Sequence, residues 1–296
     1  MTVSQGLRSE QTFPSKFVKV LDSEMHYVEV GSGDPILFVH GIPTSSYLWR
    51  YILPTCQQDA RAIAVDLIGF GQSSKPHIDY SVEDHFKYLS AFINTMKLDR
   101  LTLVLHGWGS IPGLQYAALN EEKIKGVVLY ESHIRPITDF NMLSLPVQQL
   151  ATLLRDEKEA KKAVIEDNFF VEKWLHMGAV NKLSPEVVAE YRKPFATQAS
   201  RQPLWQYAKE LPIGNKNTKA FHMIQSYNHW LRDTQVPLCL MYAIPGLITP
   251  MSTVAWAKEN IDNLQLVELN DVMHFVQESK PDLFSEALLR WYRSVL

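Results

Sequence analysis

Three side chains of this sequence could act together as an acid–base site: His274, Glu131 and Trp108. A carboxylate beside one ring nitrogen of a histidine fixes the tautomer and leaves the other nitrogen free to accept a proton. An indole N–H only donates, and in a dry pocket it suits a halide or another developing anion. Each residue also has a structural interpretation as a core histidine, a capping carboxylate or a packed aromatic. The combination favours a general base beside an anion-binding donor.

The side chain that would form a covalent intermediate is missing. An apolar run at 101–105 precedes His106-Gly107-Trp108-Gly109, and helical spacing follows, which predicts a strand that turns sharply into a helix. In such a nucleophile elbow, a small residue stands two places after the nucleophile. Gly109 is that small residue, so Gly107 occupies the nucleophile position. Because glycine relaxes the strained turn, either function has been lost or the freed space holds a water within reach of His274.

Other potential nucleophiles and bases are expected to have structural roles. Packing or loop-holding roles are expected for Ser110, Ser132, His106 and Asp66. His133 has no assigned role. Cys56 and Cys239 lie far apart in the sequence without metal or redox spacing, so we expect two reduced, buried thiols.

Strand patterns alternate with helical patterns along most of the chain. The predicted strands are 17–20, 25–30, 35–39, 61–65, 101–105, 124–130, 236–242 and 264–269, and the predicted helices include 45–53, 80–97, 251–260 and 281–295. After an initial antiparallel pair, this order predicts a parallel α/β sheet. Active sites of such sheets lie at the carboxyl ends of the strands, where Ile42, Gly107, Glu131 and His274 occur.

The alternation stops after Glu131. Residues 136–213 look mostly helical, with prolines as punctuation and many aromatic side chains. We interpret this block as a helical cap inserted between two strands. The predicted domains are therefore an α/β core of residues 1–135 and 214–296 and a cap of residues 136–213.

Composition and charge exclude several classes of function. The 296 residues carry a net charge of −3 without a basic stripe, which argues against a nucleic-acid partner. No apolar run approaches the ~18 residues that span a bilayer, and the first residues lack the apolar segment of a signal peptide. We expect a cytoplasmic protein that takes an apolar small molecule and needs neither cofactor nor metal. The sequence indicates neither the oligomeric state nor the particular substrate.

Several motifs together resemble one enzyme family. HGIPTSSYLWR, DLIGFGQSSKP, LHGWGS, EDNFFVE, RQPLWQ and MHFVQESKPD are similar to motifs of the haloalkane dehalogenase family of α/β hydrolases, a group that includes a coelenterazine luciferase. The resemblance runs from about residue 17 to the last residue. It implies an α/β-hydrolase fold, with an eight-stranded, mostly parallel sheet beneath a helical cap. It also implies an aspartate nucleophile in HDWG, a histidine base, an acidic partner and two halide-stabilising side chains.

Matching the motifs residue by residue shows which functions this sequence keeps. By resemblance, His274 is the base, Glu131 its acidic partner and Trp108 one halide ligand. Gly107 replaces the nucleophile, and Ile42 replaces the asparagine that commonly supplies the second halide ligand. The backbone N–H groups of Ile42 and Trp108 match the oxyanion-hole donors of the fold.

A third departure from the family pattern is Ile244, where members of the family often carry a glutamate. All three departures remove polarity from, or close to, the expected cavity.

The sequence leaves three functional hypotheses open. In the first, an enzyme without a covalent intermediate uses the His274–Glu131 dyad as a general base, for hydrolysis, lyase chemistry, cyclisation or cofactor-free oxygenation of an acidic heterocycle. In the second, a catalytically inactive shell binds an apolar ligand. In the third, the chain is an inactivated variant of an ordinary dehalogenase. All three predict weak or no dehalogenase activity.

Overall fold

A central sheet organises the molecule, and the computed structural model describes it within residues 13–213 and 217–295. Its spatial order is β1-β2-β4-β3-β5-β6-β7-β8. The strands are β1 Lys16–Val20, β2 Ser23–Val30, β3 Pro35–Val39, β4 Arg61–Val65, β5 Leu101–Gly107, β6 Ile124–Ser132, β7 Leu238–Ala243 and β8 Leu264–Leu269. β2 pairs antiparallel with β1 and β4, and the other neighbours pair in parallel. The predicted eight-stranded, mostly parallel sheet is confirmed.

The middle of the sheet is buried on both faces, which explains its composition. Every residue of β3 and β5 is buried, and both strands are rich in Val, Leu and Ile. Val39 of β3 lies beside Leu105 of β5, and Leu105 lies beside Leu129 of β6. Their carboxyl ends therefore meet at one edge of the sheet, where the loops that follow can share a site.

Helices connect the strands. They are α1 Leu53–Cys56, α2 Val82–Thr95, α3 Ser110–Leu119, α4 Leu145–Leu153, α5 Glu157–Lys161, α6 Leu175–Met177, α7 Pro185–Arg192, α8 Gln202–Glu210, α9 Lys219–Asp233, α10 Met251–Asn260, α11 Val276–Ser279 and α12 Pro281–Ser294. α2 begins with a capping box between Ser81 and Asp84. No helix within the described ranges is both long enough and apolar enough to cross a membrane.

Two helical predictions need correction. The expected helix 45–53 is a 3₁₀ turn, Ser46–Trp49, followed by the separate α1. Pro54 causes the break, because it has no N–H to donate to the carbonyl of Arg50 and fits the first turn of a new helix. The sequence analysis also missed α9, whose buried face repeats at helical spacing through Phe221, Ile224 and Leu231.

The helical segments between β6 and β7 contact the loops at the carboxyl edge of the sheet. The backbone N–H of Phe275 donates to the carbonyl of Gly178 at 2.9 Å. The rings of Trp108 and Tyr207 lie 4.9 Å apart. These contacts agree with a cap, but its limits at residues 136 and 213 stay a prediction. The predicted start of the second core segment, residue 214, and the N-terminal residues 1–12 lie outside the described ranges.

Candidate active site

Gly107 forms a sharp turn between β5 and α3. Its φ of +52° lies in the left-handed region, which glycine adopts without steric cost. A Cβ built on Gly107 would lie 3.4 Å from Gly41 Cα, 3.6 Å from His274 Cε1 and 3.7 Å from His274 Nε2. These are ordinary van der Waals distances. A Cβ at this position would therefore meet no clash, and it would lie directly beside the ring of His274.

The predicted pair of His274 and Glu131 is a buried hydrogen bond. His274 Nδ1 lies 2.9 Å from Glu131 Oε2. The side chain of Glu131 is fully buried, and that of His274 is 3% exposed. A carboxylate only accepts hydrogen bonds, so Nδ1 donates to it, and in the neutral imidazole the lone pair is therefore on Nε2. The lone pair of His274 is thus on the nitrogen nearest Gly107.

Backbone amides fix the position of the Glu131 carboxylate. Its Oε2 accepts from the N–H groups of Leu247 at 2.9 Å and Ile248 at 2.8 Å, and its Oε1 accepts from the N–H of Thr249 at 3.3 Å. These donors belong to the loop between β7 and α10. The acid near the end of β6 therefore ties that loop to the histidine after β8.

His106 supports the loop of the candidate base. Its ring centre lies 4.5 Å from that of His274. The ring donates from Nε2 to the carbonyl oxygen of His274 at 2.9 Å. Burial holds the pKa of His106 well below its usual value, and the nearby His274 lowers it further. The neutral imidazole of His106 therefore holds the loop that carries His274. A loop-holding role was the one predicted for His106.

Trp108 and Ile42 are both buried at this edge, at 2% and 3% exposure. The indole N–H of Trp108 has no hydrogen-bond partner among the residues that the structure describes. Ile42 follows Gly41, whose Cα packs against the built Cβ position of Gly107. The interpretation of Ile244 as a third loss of polarity at or close to the cavity stays a prediction. That side chain is 47% exposed, because it comes after the end of β7 at the surface.

The alternative nucleophiles have structural bonds, as expected. Ser110 Oγ donates to the carbonyl of Gly107 at 2.6 Å, and Ser132 Oγ donates to backbone carbonyls at 3.2 Å. Asp66 accepts from His26 Nδ1 at 2.7 Å and from loop amides. The two thiols, Cys56 and Cys239, are free and buried, and burial raises the pKa of each to about 12. Neither cysteine supplies a reactive thiolate.

The sequence analysis left His133 without a role, and the structure brings it to the site. Its ring is perpendicular to that of Trp108, with centres 6.4 Å apart. The residue is 8% exposed, and burial lowers its pKa to about 3, with a further contribution from His274. No strand pattern could have found it, because Glu131 has a φ of +49° and β6 ends at Ser132, so the alternation of an extended chain stops before His133.

One small cavity lies beside His133, and a larger one lies away from the candidate site. A cavity of about 20 Å³ is lined by His133, Leu211 and Leu247, among others. That volume holds about one water. A larger cavity of about 600 Å³ is lined by Tyr47, Arg50 and other residues outside the Gly107–His274 site. Within the described parts of the chain, no three His, Cys, Asp or Glu side chains are grouped to hold a metal ion.

An eight-stranded, mostly parallel sheet with a strand–turn–helix elbow and a histidine–carboxylate pair at its carboxyl edge is typical of the α/β-hydrolase class. A family model described as alpha/beta hydrolase fold matches residues 34–281. A haloalkane dehalogenase of Mesorhizobium japonicum is 35% identical over 94% of this chain and 91% of its own length. A haloalkane dehalogenase of Agrobacterium fabrum is 33% identical over 90% of this chain and 88% of its own length.

A solved structure agrees with these relatives. The crystal structure of the haloalkane dehalogenase DatA from Agrobacterium tumefaciens C58 has a TM-score of 0.90 and 32% identity over 96% of this chain and 97% of that chain. The chain belongs to the haloalkane dehalogenase family of α/β hydrolases.

Proposed function

We propose that this member of the family is an enzyme that uses His274 as a general base and forms no covalent intermediate. The position of His274 Nε2 supports the proposal. Glu131 occupies Nδ1, and Nε2 lies 3.7 Å from where a side chain on Gly107 would begin. A substrate atom or a water in the space beside Gly107 would therefore meet the proton-accepting nitrogen.

The proposed reaction begins with one proton transfer. His274 Nε2 takes a proton from an acidic group of an apolar substrate, or from a water, and the electron pair stays on the donor atom. Glu131 stabilises the imidazolium that forms. The backbone N–H groups of Ile42 and Trp108, with the indole N–H of Trp108, stabilise the negative charge. Hydrolysis, lyase chemistry, cyclisation and cofactor-free oxygenation all start in this way.

Dehalogenation itself is expected to be weak or absent. The relatives are named for it, but position 107 carries no carboxylate that could displace a halide. A histidine-activated water is a poor substitute, because an alkyl halide has no carbonyl that an oxyanion hole could activate. The base therefore suits substrates with an acidic proton or an activated carbonyl.

The test uses 4-nitrophenol, an apolar probe with an acidic O–H whose ionised form absorbs visible light. At a pH where the free phenol is mostly neutral, the wild type should bind it and produce the nitrophenolate band. His274→Ala should bind it without that band, because the proton acceptor is gone. Glu131→Gln should give a weaker band, because the imidazolium loses its counter-charge. The matched control is His229→Ala, an exposed histidine on α9, which should behave as wild type.

The second candidate is a protein that binds an apolar ligand without chemistry. The buried Ile42 at the position of a polar family residue is the observation that favours it. This alternative predicts that 4-nitrophenol binds in its neutral form and that His274→Ala changes nothing in the spectrum. Such a result would overturn the general-base proposal.

A further inference from the structure

The backbone of His133 is held from both sides. Its N–H donates to Ser110 Oγ at 2.9 Å, and Ser110 Oγ itself donates to the carbonyl of Gly107. On the other side, the hydroxyl of Tyr227 on α9 donates to the carbonyl of His133. The residue is thus connected to the elbow through one serine. Because both backbone groups are fixed, the imidazole has a defined place beside Trp108.

Two buried nitrogens at this place lack partners. His133 Nε2 and Trp108 Nε1 make no hydrogen bond to any residue within 13–213 or 217–295. Their rings meet edge to face, with centres 6.4 Å apart. Buried polar atoms without partners are uncommon because each loses its bonds to water. Here the two unpartnered nitrogens belong to neighbouring rings at the candidate active site, where a bound ligand atom would complete their hydrogen bonding.

The protonation of His133 limits what the residue can do. Burial lowers its pKa to about 3, and His274 contributes. The ring is therefore neutral near pH 7, so it has no positive charge that could balance a negatively charged substrate. A neutral imidazole has one N–H to donate. Trp108 also offers one N–H, and Ile42 offers no side-chain donor.

We propose that His133 is a substrate-binding residue whose Nε2–H, together with the indole N–H of Trp108, donates to one oxygen of the substrate. This inference rests on the proposed function and names its substrate class. The substrate is an apolar molecule with a phenol, enol or carbonyl oxygen that becomes more negative when His274 removes a proton. His133 supplies the second side-chain donor that Ile42 cannot supply.

The test compares two probes of similar shape, 4-nitrophenol and 4-nitrotoluene, which differ in the oxygen. His133→Leu should weaken nitrophenol binding about tenfold, the effect of one hydrogen bond to a partly charged oxygen. It should leave the affinity for nitrotoluene unchanged or higher. His133→Gln is the matched control, because its amide places an N–H near the Nε2 position and should restore part of the affinity. If His133 and Trp108 share one oxygen, His133→Leu and Trp108→Phe should be non-additive in a double-mutant cycle.

The same measurements are repeated in the His274→Ala background to separate the two proposals. A His133-dependent preference for nitrophenol that persists there supports the substrate-binding role even if the wild type produces no nitrophenolate. Equal loss of both probes in His133→Leu would mean a packing role and overturn the inference. It is also overturned if nitrophenol does not bind to the wild type, or if it binds equally to His133→Leu, whatever the result at His274.

Discussion

Gly107 has two properties that matter for any attempt to restore a nucleophile. Its positive φ of +52° is unstrained for glycine, whereas any other residue would be strained there by about 1–3 kcal/mol. Its surroundings nevertheless leave room for a Cβ, with the nearest atoms at 3.4–3.7 Å. The penalty for a side chain here thus comes from the backbone and not from a clash. A carboxylate placed on that Cβ would start beside His274.

We expect the wild type to release little or no halide from 1-bromobutane, and Gly107→Asp with Ile42→Asn to release more. Loss of the nucleophile costs ~10⁶-fold in turnover in the serine protease example. The single variant Gly107→Asp should be ~10²–10³-fold slower than the double variant, because the leaving halide then has one side-chain donor fewer. Bromide release and urea unfolding measure activity and stability together. Activity should rise while the free energy of unfolding falls by about 1–3 kcal/mol.

Gly107→Ala with Ile42→Asn is the control for this repair. It introduces the same backbone strain without a carboxylate, so it should lose stability and gain no activity. A folded Gly107→Asp, Ile42→Asn variant without bromide release would show that the pocket differs from its relatives at further positions. The relationship would then indicate the fold and not the chemistry.

The element that follows the candidate base is anchored by a buried ion pair. Arg50, just after the 3₁₀ turn, donates from both terminal nitrogens to Glu278 of α11 at 2.7 Å each. Tyr191 of α7 also donates to Glu278, and Tyr47 stacks under the guanidinium. Both charged side chains are nearly fully buried, at 4% and 3% exposure. Three separate elements therefore meet four residues after His274.

Removing one partner of this pair should be strongly destabilising. Arg50→Met leaves a buried carboxylate without its counter-charge, and we expect a loss of about 3–5 kcal/mol in urea unfolding. Arg50→Met with Glu278→Met should lose less than the sum of the single variants, because no charge is left unpaired. The control is Arg293→Met, which removes an ion pair with Asp59 at the surface and should therefore cost far less stability than Arg50→Met. A similar small loss for Arg50→Met would contradict the role of burial.

Most elements were predictable because their residue patterns are local. β3, β4, α10 and β8 have the predicted bounds. β5 extends past the apolar run to Gly107, because His106 and Gly107 still pair with β6. A polar histidine ends an apolar pattern but does not end a strand whose neighbours supply its hydrogen bonds. That information lies in the tertiary structure.

In the candidate site, too, some features follow from local residue patterns and others depend on the tertiary structure. The positions of His274 and Glu131 at strand ends, together with the family resemblance, predicted that they lie together. The exposure of Ile244 depends on how one loop leaves the sheet, which no local pattern contains. The place of His133 depends on bonds to Ser110 and Tyr227, which come from distant parts of the chain.

At the scale of the whole molecule, four buried histidines make the free energy of unfolding depend on pH. Burial lowers the pKa of His85 and His133 to about 3, lowers that of His40, and holds that of His106 well below its usual value. His85 and His133 are therefore neutral in the folded protein under mildly acidic conditions, and His40 and His106 bind protons less readily than a histidine in the unfolded chain. In the unfolded chain they take up protons as the pH falls below about 6.5. The unfolded state then binds more protons than the folded state, so stability falls as the pH falls.

We expect the free energy of unfolding to decline between pH about 6.5 and about 4.5, by about 1.4 kcal/mol per pH unit for each histidine that stays neutral when folded. Urea unfolding at a series of pH values measures the slope. His85→Phe removes one of these groups at a place where the ring already packs 5.7 Å from Phe70, so it should reduce proton uptake by about one. The exposed His229→Ala should leave the slope unchanged. A flat profile down to pH about 4.5, above the range where carboxylates dominate, would mean that the four histidines are protonated in the folded protein.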